Sequence, residues 1–201
     1  MKTIFQLLFL VCATVLMSSC IASLNPIYDE DELIHDPGLN GKWYDKDENK
    51  SINTKNTSFK VKTIERKKNM SHKMKKLYLW TFYDKDTASF TVHMVKIGAH
   101  EYLDFFPESF DFENDLAEIC FFPVHAFCRI KRNGDNLKIH AFDFEYIKSL
   151  IENRELRMEY KMQDGHLLLM APTEDLQKFI KKYENDPCLF ENEPQIYIRK
   201  K

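Results

Sequence analysis

His125 is a residue at which chemistry could turn. It follows Pro123-Val124 and stands among Phe121, Phe122 and Phe127, and an imidazole drawn out of water can have its pKa moved into a useful range. A hydrolase or metal enzyme centred on it needs a cleft that brings a carboxylate or nucleophile within about 3 Å of the ring. The competing reading is a core histidine hydrogen-bonded to backbone. His93 and His100 stand on either side of Gly98-Ala99 and could meet across a turn as metal ligands. No carboxylate or thiol stands at a spacing that completes a zinc set, which favours two surface histidines. Asp45-Lys46-Asp47-Glu48-Asn49 imitates the start of a calcium loop, but Lys50 and Asn56 occupy the positions where glycine and a bidentate glutamate are needed. Asp86-Thr87-Ala88 suits both an O-glycosylation acceptor and a hairpin turn. There is no Gly-rich phosphate loop, Gly-x-Ser-x-Gly elbow or His-Glu-x-x-His. These residues assign no catalytic group, no metal ligand and no cofactor.

Cys20 offers a different chemistry, that of a modified thiol. Lys2 gives a positive start, Ile4 to Met17 form a mostly apolar run of fourteen residues, and Ser18-Ser19-Cys20 follows. That order is a secretory signal peptide, and Met17-Ser18-Ser19-Cys20 resembles the bacterial lipobox. In signals of that kind the cysteine sulfur receives a diacylglyceryl group, the chain is cut just before it, and the new amino terminus takes a palmitate-type acyl chain. The resemblance implies that residues 1–19 are a lipoprotein signal peptide and that Cys20 anchors the protein to a membrane of the bacterial cell envelope. Ile21 rather than Asp after the cysteine points to the outer membrane under enterobacterial sorting. An apolar run of fourteen is short of the ~20 residues that cross a bilayer as a helix. The main competitor is ordinary secretion, since Ser18 and Ala22 are small enough for a general signal peptidase. One acyl chain binds a membrane marginally, at ~0.8 kcal/mol per buried CH₂, whereas two or three hold stably.

The chain has 201 residues, 44% hydrophobic and 30% charged, and its sixteen Phe against five Gly argue for one globular domain rather than disorder. A formal net charge of −2 gives no reason to expect nucleic acid. Beyond the signal and Cys20, the cysteines are Cys120, Cys128 and Cys188. Eight residues along a straight strand span ~26 Å, so a Cys120–Cys128 bond needs a reversal near Pro123. The other reading is small buried hydrophobes.

Charge is unevenly spread. Lys60 to Lys76 carries Lys60, Lys62, Arg66, Lys67, Lys68, Lys73, Lys75 and Lys76 against Glu65 alone, while Asp104 to Glu118 is acidic. Lys67, Lys68, Lys73, Lys75 and Lys76 form a candidate contact for an anionic envelope component, with a strength that falls in salt. The competing reading is a solvated hairpin tip.

The elements that must position these residues are mainly strands. Ile21 to Asp36 read as a tether, so that residues 20–38 form a lipidated lead-in and residues 39–201 one β-rich domain. His35-Asp36-Pro37-Gly38 is a turn. Strands are expected at 41–45, 58–64, 77–83, 88–97, 101–106, 126–132, 137–142, 156–162, 166–171 and 195–199. Hairpin turns fall at Asn133-Gly134 and Asp164-Gly165. Thr173 can cap a helix with Leu176, Phe179, Ile180 and Tyr183 on one face. Asp143 can cap another with Tyr146, Ile147, Leu150 and Ile151 inward and Asn153 at its end. The expected fold is mainly β with minor α: an antiparallel meander curled into a lipocalin-like or half-open barrel, with two short helices.

Gly41-Lys42-Trp43 resembles the Gly-x-Trp of lipocalin-type barrels, in which the Trp plugs the barrel base. The wider layout resembles a family of uncharacterised bacterial envelope lipoproteins. It comprises Pro26-Ile27-Tyr28 with an acidic run, Asp36-Pro37, the Gly41 to Asp47 segment, Phe122-Pro123-Val124-His125-Ala126-Phe127 and the Thr173 helix. That resemblance covers nearly all of the mature chain, supports location and fold, and transfers no activity. Three functional readings follow. The first is a non-enzymatic lipoprotein with a structural role or a small apolar ligand, for which Trp43 and His125 are candidate contacts. The second is an adaptor using the basic 60–76 segment or an aromatic patch. The third is the enzyme centred on His125.

Overall fold

The computed structural model describes residues 21–46, 58–67, 74–83, 87–108, 122–163 and 165–199. Twelve strands are present among them. Two short ones, β1 (Ala22–Ser23) and β2 (Leu33–Ile34), precede β3 (Gly41–Asp45), β4 (Ser58–Lys67), β5 (Met74–Tyr83) and β6 (Thr87–Ile97). Next come β7 (His100–Pro107), β8 (His125–Asn133) and β9 (Asn136–His140). Helix α1 (Phe144–Glu152), the hairpin β10 (Tyr160–Gln163) and β11 (His166–Leu169), helix α2 (Thr173–Tyr183) and β12 (Gln195–Arg199) complete the chain.

Strands β3 to β9 run as an antiparallel meander, and β12 closes it by pairing with β9 on one edge and β3 on the other. The result is an eight-stranded closed antiparallel barrel of the lipocalin-like kind with two short helices, as the strand pattern predicts. Closure removes the free edges that an open sheet would expose. In β4, Phe59 and Val61 point into the barrel while Lys60 and Lys62 face water, the period-2 alternation of a wall covered on one side. In β6 to β8 the pattern turns nearly continuous. Val92, Met94, Leu103, Cys128 and Ile130 fill the interior, while Val95, Ile97, Tyr102 and Phe127 join a second core outside the wall. That outer core is roofed by Ile147, Leu150 and Ile151 of α1 and by Leu176, Phe179 and Ile180 of α2.

The interior is filled with rings. Phe59 lies 4.6 Å from Trp80 and 4.7 Å from Tyr197, centroid to centroid, and Phe82, Phe90 and Phe105 continue the stack. The base is closed by a 3-10 turn at Pro37–Leu39, whose N-cap Asp36 accepts from the Gly38 amide. Trp43, fully buried, donates from Nε1 to the Leu39 carbonyl at 2.9 Å and so sits against this turn at the base. Arg199 of β12 lies with its guanidinium 5.2 Å from the Trp43 ring. It donates to the carbonyls of Gly38 and Asn40 and to the Asp135 carboxylate. Gly41 is required here: its φ is +136°, and a Cβ would sit 2.8 Å from Arg199 Cδ.

Four expectations are corrected. The segment read as a tether is part of the fold from Ile21 onward, with β1 inserted between β8 and β11 and Ile27 fully buried. Its polar residues hid the fact that it is tied to distant partners: the Asn25 side chain donates to the Met170 and Ala171 carbonyls, the Leu24 amide donates to the Leu169 carbonyl, and Gln177 donates to the Ile27 carbonyl. Thr173 does not cap α2; Pro172 is the N-cap, and the Thr173 hydroxyl donates to the Pro26 carbonyl instead. The strand expected at 156–162 is reduced to Tyr160–Gln163, an edge strand on which Tyr160 and Met162 are exposed, with no layer over it among the described residues. Cys128 is a free thiol inside the barrel, which removes the Cys120–Cys128 bond; Cys120 lies outside the described residues. Burial pushes the Cys128 thiol up to about 12, so it is an inert hydrophobe. In contrast, Asp143 caps α1 through a 2.8 Å bond from the Tyr146 amide, and Asn153 is its C-cap, as read from the sequence.

Trp43→Ala removes the plug and leaves a void that the rigid 3-10 turn cannot fill. The expected loss is about 3–5 kcal/mol of unfolding free energy, read as a fall in the urea midpoint. An unchanged midpoint would show that the base does not hold the barrel closed.

Candidate functional site

His125 opens β8, with its side chain on the outer face of the wall, the face shared with Phe127. Its Nδ1 lies 2.6 Å from Oδ1 of Asp104, a fully buried carboxylate on the neighbouring β7. Asp104 Oδ2 accepts from the Ile27 amide at 2.9 Å. The carboxylate demanded by an enzymatic reading is therefore present, but it is used to bind the N-terminal segment to the wall. Phe106 covers the imidazole at 4.7 Å, only 8% of His125 is exposed, and Ser23, its partner on β1, is fully buried with its hydroxyl donating to the Asn25 carbonyl. Phe122, expected beside the ring, is largely exposed, and Phe121 lies outside the described residues. Tyr28 stacks on His93 next to this pair, and burial together with Asp104 and Glu30 raises the Tyr28 pKa. The arrangement is a structural lock.

The other candidates are dispersed. Trp43 faces the barrel interior and His125 the outer layer, so the two do not line one site. His93 stands opposite Asp104, and His100 opposite Ile97, so the two histidines do not meet across the turn. Among the described residues no cluster of three or more His, Cys, Asp or Glu could hold a metal. Asp86 and the 47–56 part of the calcium-like segment lie outside the described residues.

Of the basic segment, Lys68 and Lys73 also lie outside them, while Lys67 and Lys75 are placed by backbone pairing and Lys76 is exposed. The strands around it are longer than expected. β4 leaves β3 after Val61 and β5 leaves β6 before Tyr78, so residues 62–67 and 74–77 extend beyond the barrel as a two-stranded arm. Asn40 fixes the root of the arm through the Thr63 amide and hydroxyl.

A second basic surface lies at the same end of the barrel and has no linear signature. A cleft of about 600 Å³ is lined by Lys96, His100, Glu101, Arg129, Lys131, Lys138 and His140, with Ala99 and Ile130. The β8–β9 register sets Lys131 directly opposite Lys138 and Arg129 directly opposite His140. Like charges facing each other across a strand pair cost stability. Arg129 is held by the face of Phe190, 3.7 Å from the ring centroid, and donates to the Glu184 carbonyl. Burial lowers the Arg129 pKa. Burial and the positive charges of Arg129, Lys138, Lys131 and His100 lower that of His140. Sequence reading misses this cleft because its cations come from three strands and alternate with core residues. The weak signal available was the Arg-x-Lys of β8 facing the Lys-x-His of β9 across the Asn133-Gly134 turn.

No family model, no curated protein and no solved structure matches this chain.

Two predictions follow from these geometries. Asp104→Ala strands the His125 ring and the Ile27 amide without their buried acceptor; unfolding free energy should fall by about 3–5 kcal/mol, measured by denaturant titration. His140 has a folded-state pKa below its ordinary 6.5, so as pH drops through that value the unfolded chain takes up a proton that the folded chain resists. Stability is full above pH 6.5 and declines below it, and His140→Gln should flatten that part of the pH–stability curve. An identical curve for variant and parent would rule the histidine out.

Proposed function

We propose that this is a lipid-anchored protein of the bacterial envelope, held through Cys20 and acting without enzymatic chemistry, in a binding or structural role toward an anionic envelope component. The support from the sequence is the apolar run ending in Met17-Ser18-Ser19-Cys20. The observation that carries the functional reading is Ile21, 5% exposed and followed at once by a strand paired on both edges. A lipid on the preceding residue leaves no slack between anchor and fold, so the barrel would rest on the membrane surface rather than range above it. With two acyl groups or more the attachment is stable. The location proposed is the outer membrane.

The enzymatic reading is disfavoured by the engagement of both Asp104 oxygens and the cover over His125. The apolar-ligand reading is disfavoured by the rings that occupy the barrel. An adaptor reading gains support from the two-stranded basic arm.

Intact mass of the protein recovered from its own membranes tests the anchor. The expected mass exceeds that of residues 20–201 by a diacylglyceryl group and a fatty-acyl chain, and the excess disappears in Cys20→Ala. An unmodified mature mass would make the protein a freely secreted one and end the proposal.

A further inference from the structure

The cleft between the β6–β7 turn and the β8–β9 hairpin concentrates positive charge on a chain whose net charge is −2. Four permanent cations line it, Lys96, Arg129, Lys131 and Lys138, against the single carboxylate of Glu101. Glu184 adds a second negative charge at the edge, where its carboxylate accepts from the Ala99 amide and acts on Arg129, so the cations still outnumber the carboxylates four to two. Among the described residues the ammonium groups of Lys96, Lys131 and Lys138 make no ion pair or hydrogen bond, although Lys96 stands opposite Glu101 in the register. A fold that sets Lys131 against Lys138 and Arg129 against His140, and leaves these lysines uncompensated, bears a repulsion that an oxyanion would relieve.

We infer that this cleft is a binding site for the phosphoryl headgroup of an anionic membrane lipid. Three observations select that chemistry. A planar guanidinium fixed against Phe190 presents a fork suited to phosphoryl oxygens, while the ammonium groups supply point charges around it. A volume of about 600 Å³ exceeds what one inorganic phosphate fills and suits a phosphorylated glycerol or sugar headgroup. The third observation is position. Ser23 pairs with His125 and Ala22 with Ala126, so the chain followed backward toward Ile21 runs along β8 in the direction of Arg129. β9 takes over the same edge of β8 from Arg129 onward. The residue that precedes Ile21 is the proposed anchor, and in choosing a lipid over a soluble phosphate the inference rests on that reading. On that reading anchor and cleft face one surface; the acyl chains hold the protein there, and the cleft would select anionic headgroups beside them. Occupancy also favours protonation of His140, whose ring lies near Arg129, Lys131, Lys138, His100 and the Phe190 ring, so binding strengthens as pH falls through the range in which that histidine takes up its proton.

The test is lysine acetylation footprinting of the full mature protein with vesicles of phosphatidylglycerol or phosphatidylcholine, read by mass spectrometry, with Lys181 on α2 as the internal reference. Lys131 and Lys138 are expected to react about tenfold more slowly on phosphatidylglycerol, with protection lost in high salt. In Lys138→Gln, a change that relieves a like-charge pair and so does not threaten folding, protection of Lys131 should drop severalfold. Equal labelling on both lipids would overturn the site. Full protection on phosphatidylcholine by added pyrophosphate, with none from phosphatidylglycerol, would overturn the lipid in favour of a soluble phosphate. Because vesicles are added from outside, the footprint reads the cleft whether or not Cys20 carries lipid. A failed anchor therefore shows in the mass alone, and a failed cleft in the footprint alone.

Discussion

Residues 195–199 reach the sheet last and must satisfy two open edges at once, those of β3 and β9. The hydrogen bonds of a five-residue strand are a modest reward for fixing so long a stretch of preceding chain. Arg199 supplies what the strand alone lacks. Its guanidinium covers Trp43, draws in the carbonyls of Gly38 and Asn40, and pairs with Asp135 on the β8–β9 turn. One side chain thus ties β3, β12, the base turn and a hairpin tip. Arg132 adds a parallel tie to Asp36, whose carboxyl is held below its usual range: burial works to raise it, and the Arg132 and Gly38 hydrogen bonds outweigh that. Every other feature presupposes this closure, since the outer core and the basic cleft are both built on the wall it completes.

The wall is unequal around its circumference. In β4, exposed Lys60 and Lys62 alternate with buried Phe59 and Val61, and in β5 Leu79 and Thr81 alternate with the inward rings of Tyr78, Trp80 and Phe82. Where β6, β7 and β8 are covered, Asp104 and His125 replace apolar residues in an otherwise dry layer. A buried carboxylate is costly unless its oxygens are bonded, and here both are. It gives the lead-in segment a unique seat on a surface where hydrophobic contact alone would allow sliding.

Much of this was readable in advance because it depends on local patterning. Alternation in 58–64 and 77–83 marks walls with one wet face, and Asn133-Gly134 marks its turn because Gly134 sits at φ +59°. Gly41-Lys42-Trp43 marks the base because Gly41 and Trp43 each have a steric reason to be there. What escaped detection depends on partners far away in sequence. Ala22-Ser23 has no strand signature and is a strand only because β8 and β11 offer it both edges. Thr173 resembles a cap, yet its hydroxyl finds the Pro26 carbonyl 147 residues earlier. Of the candidate residues, Trp43 lies in the barrel interior and His125 outside it, and the carboxylate partner of His125 lay 21 residues upstream, in what read as an acidic run. The cleft was invisible because each cation, taken singly, is an ordinary surface residue at an outward strand position.

The seat of β1 has a temporal consequence. Asn25 finds its carbonyl partners 145 and 146 residues further along the chain, at Met170 and Ala171. Until those residues exist, the stretch after Cys20 has no fixed place and is open to any enzyme that must grip an extended peptide. Once α2 and β11 have docked, the same stretch is wedged between strands and no longer fits a protease groove. If residues 1–19 are removed as proposed, their removal and the completion of the fold are ordered events, the first preceding the second.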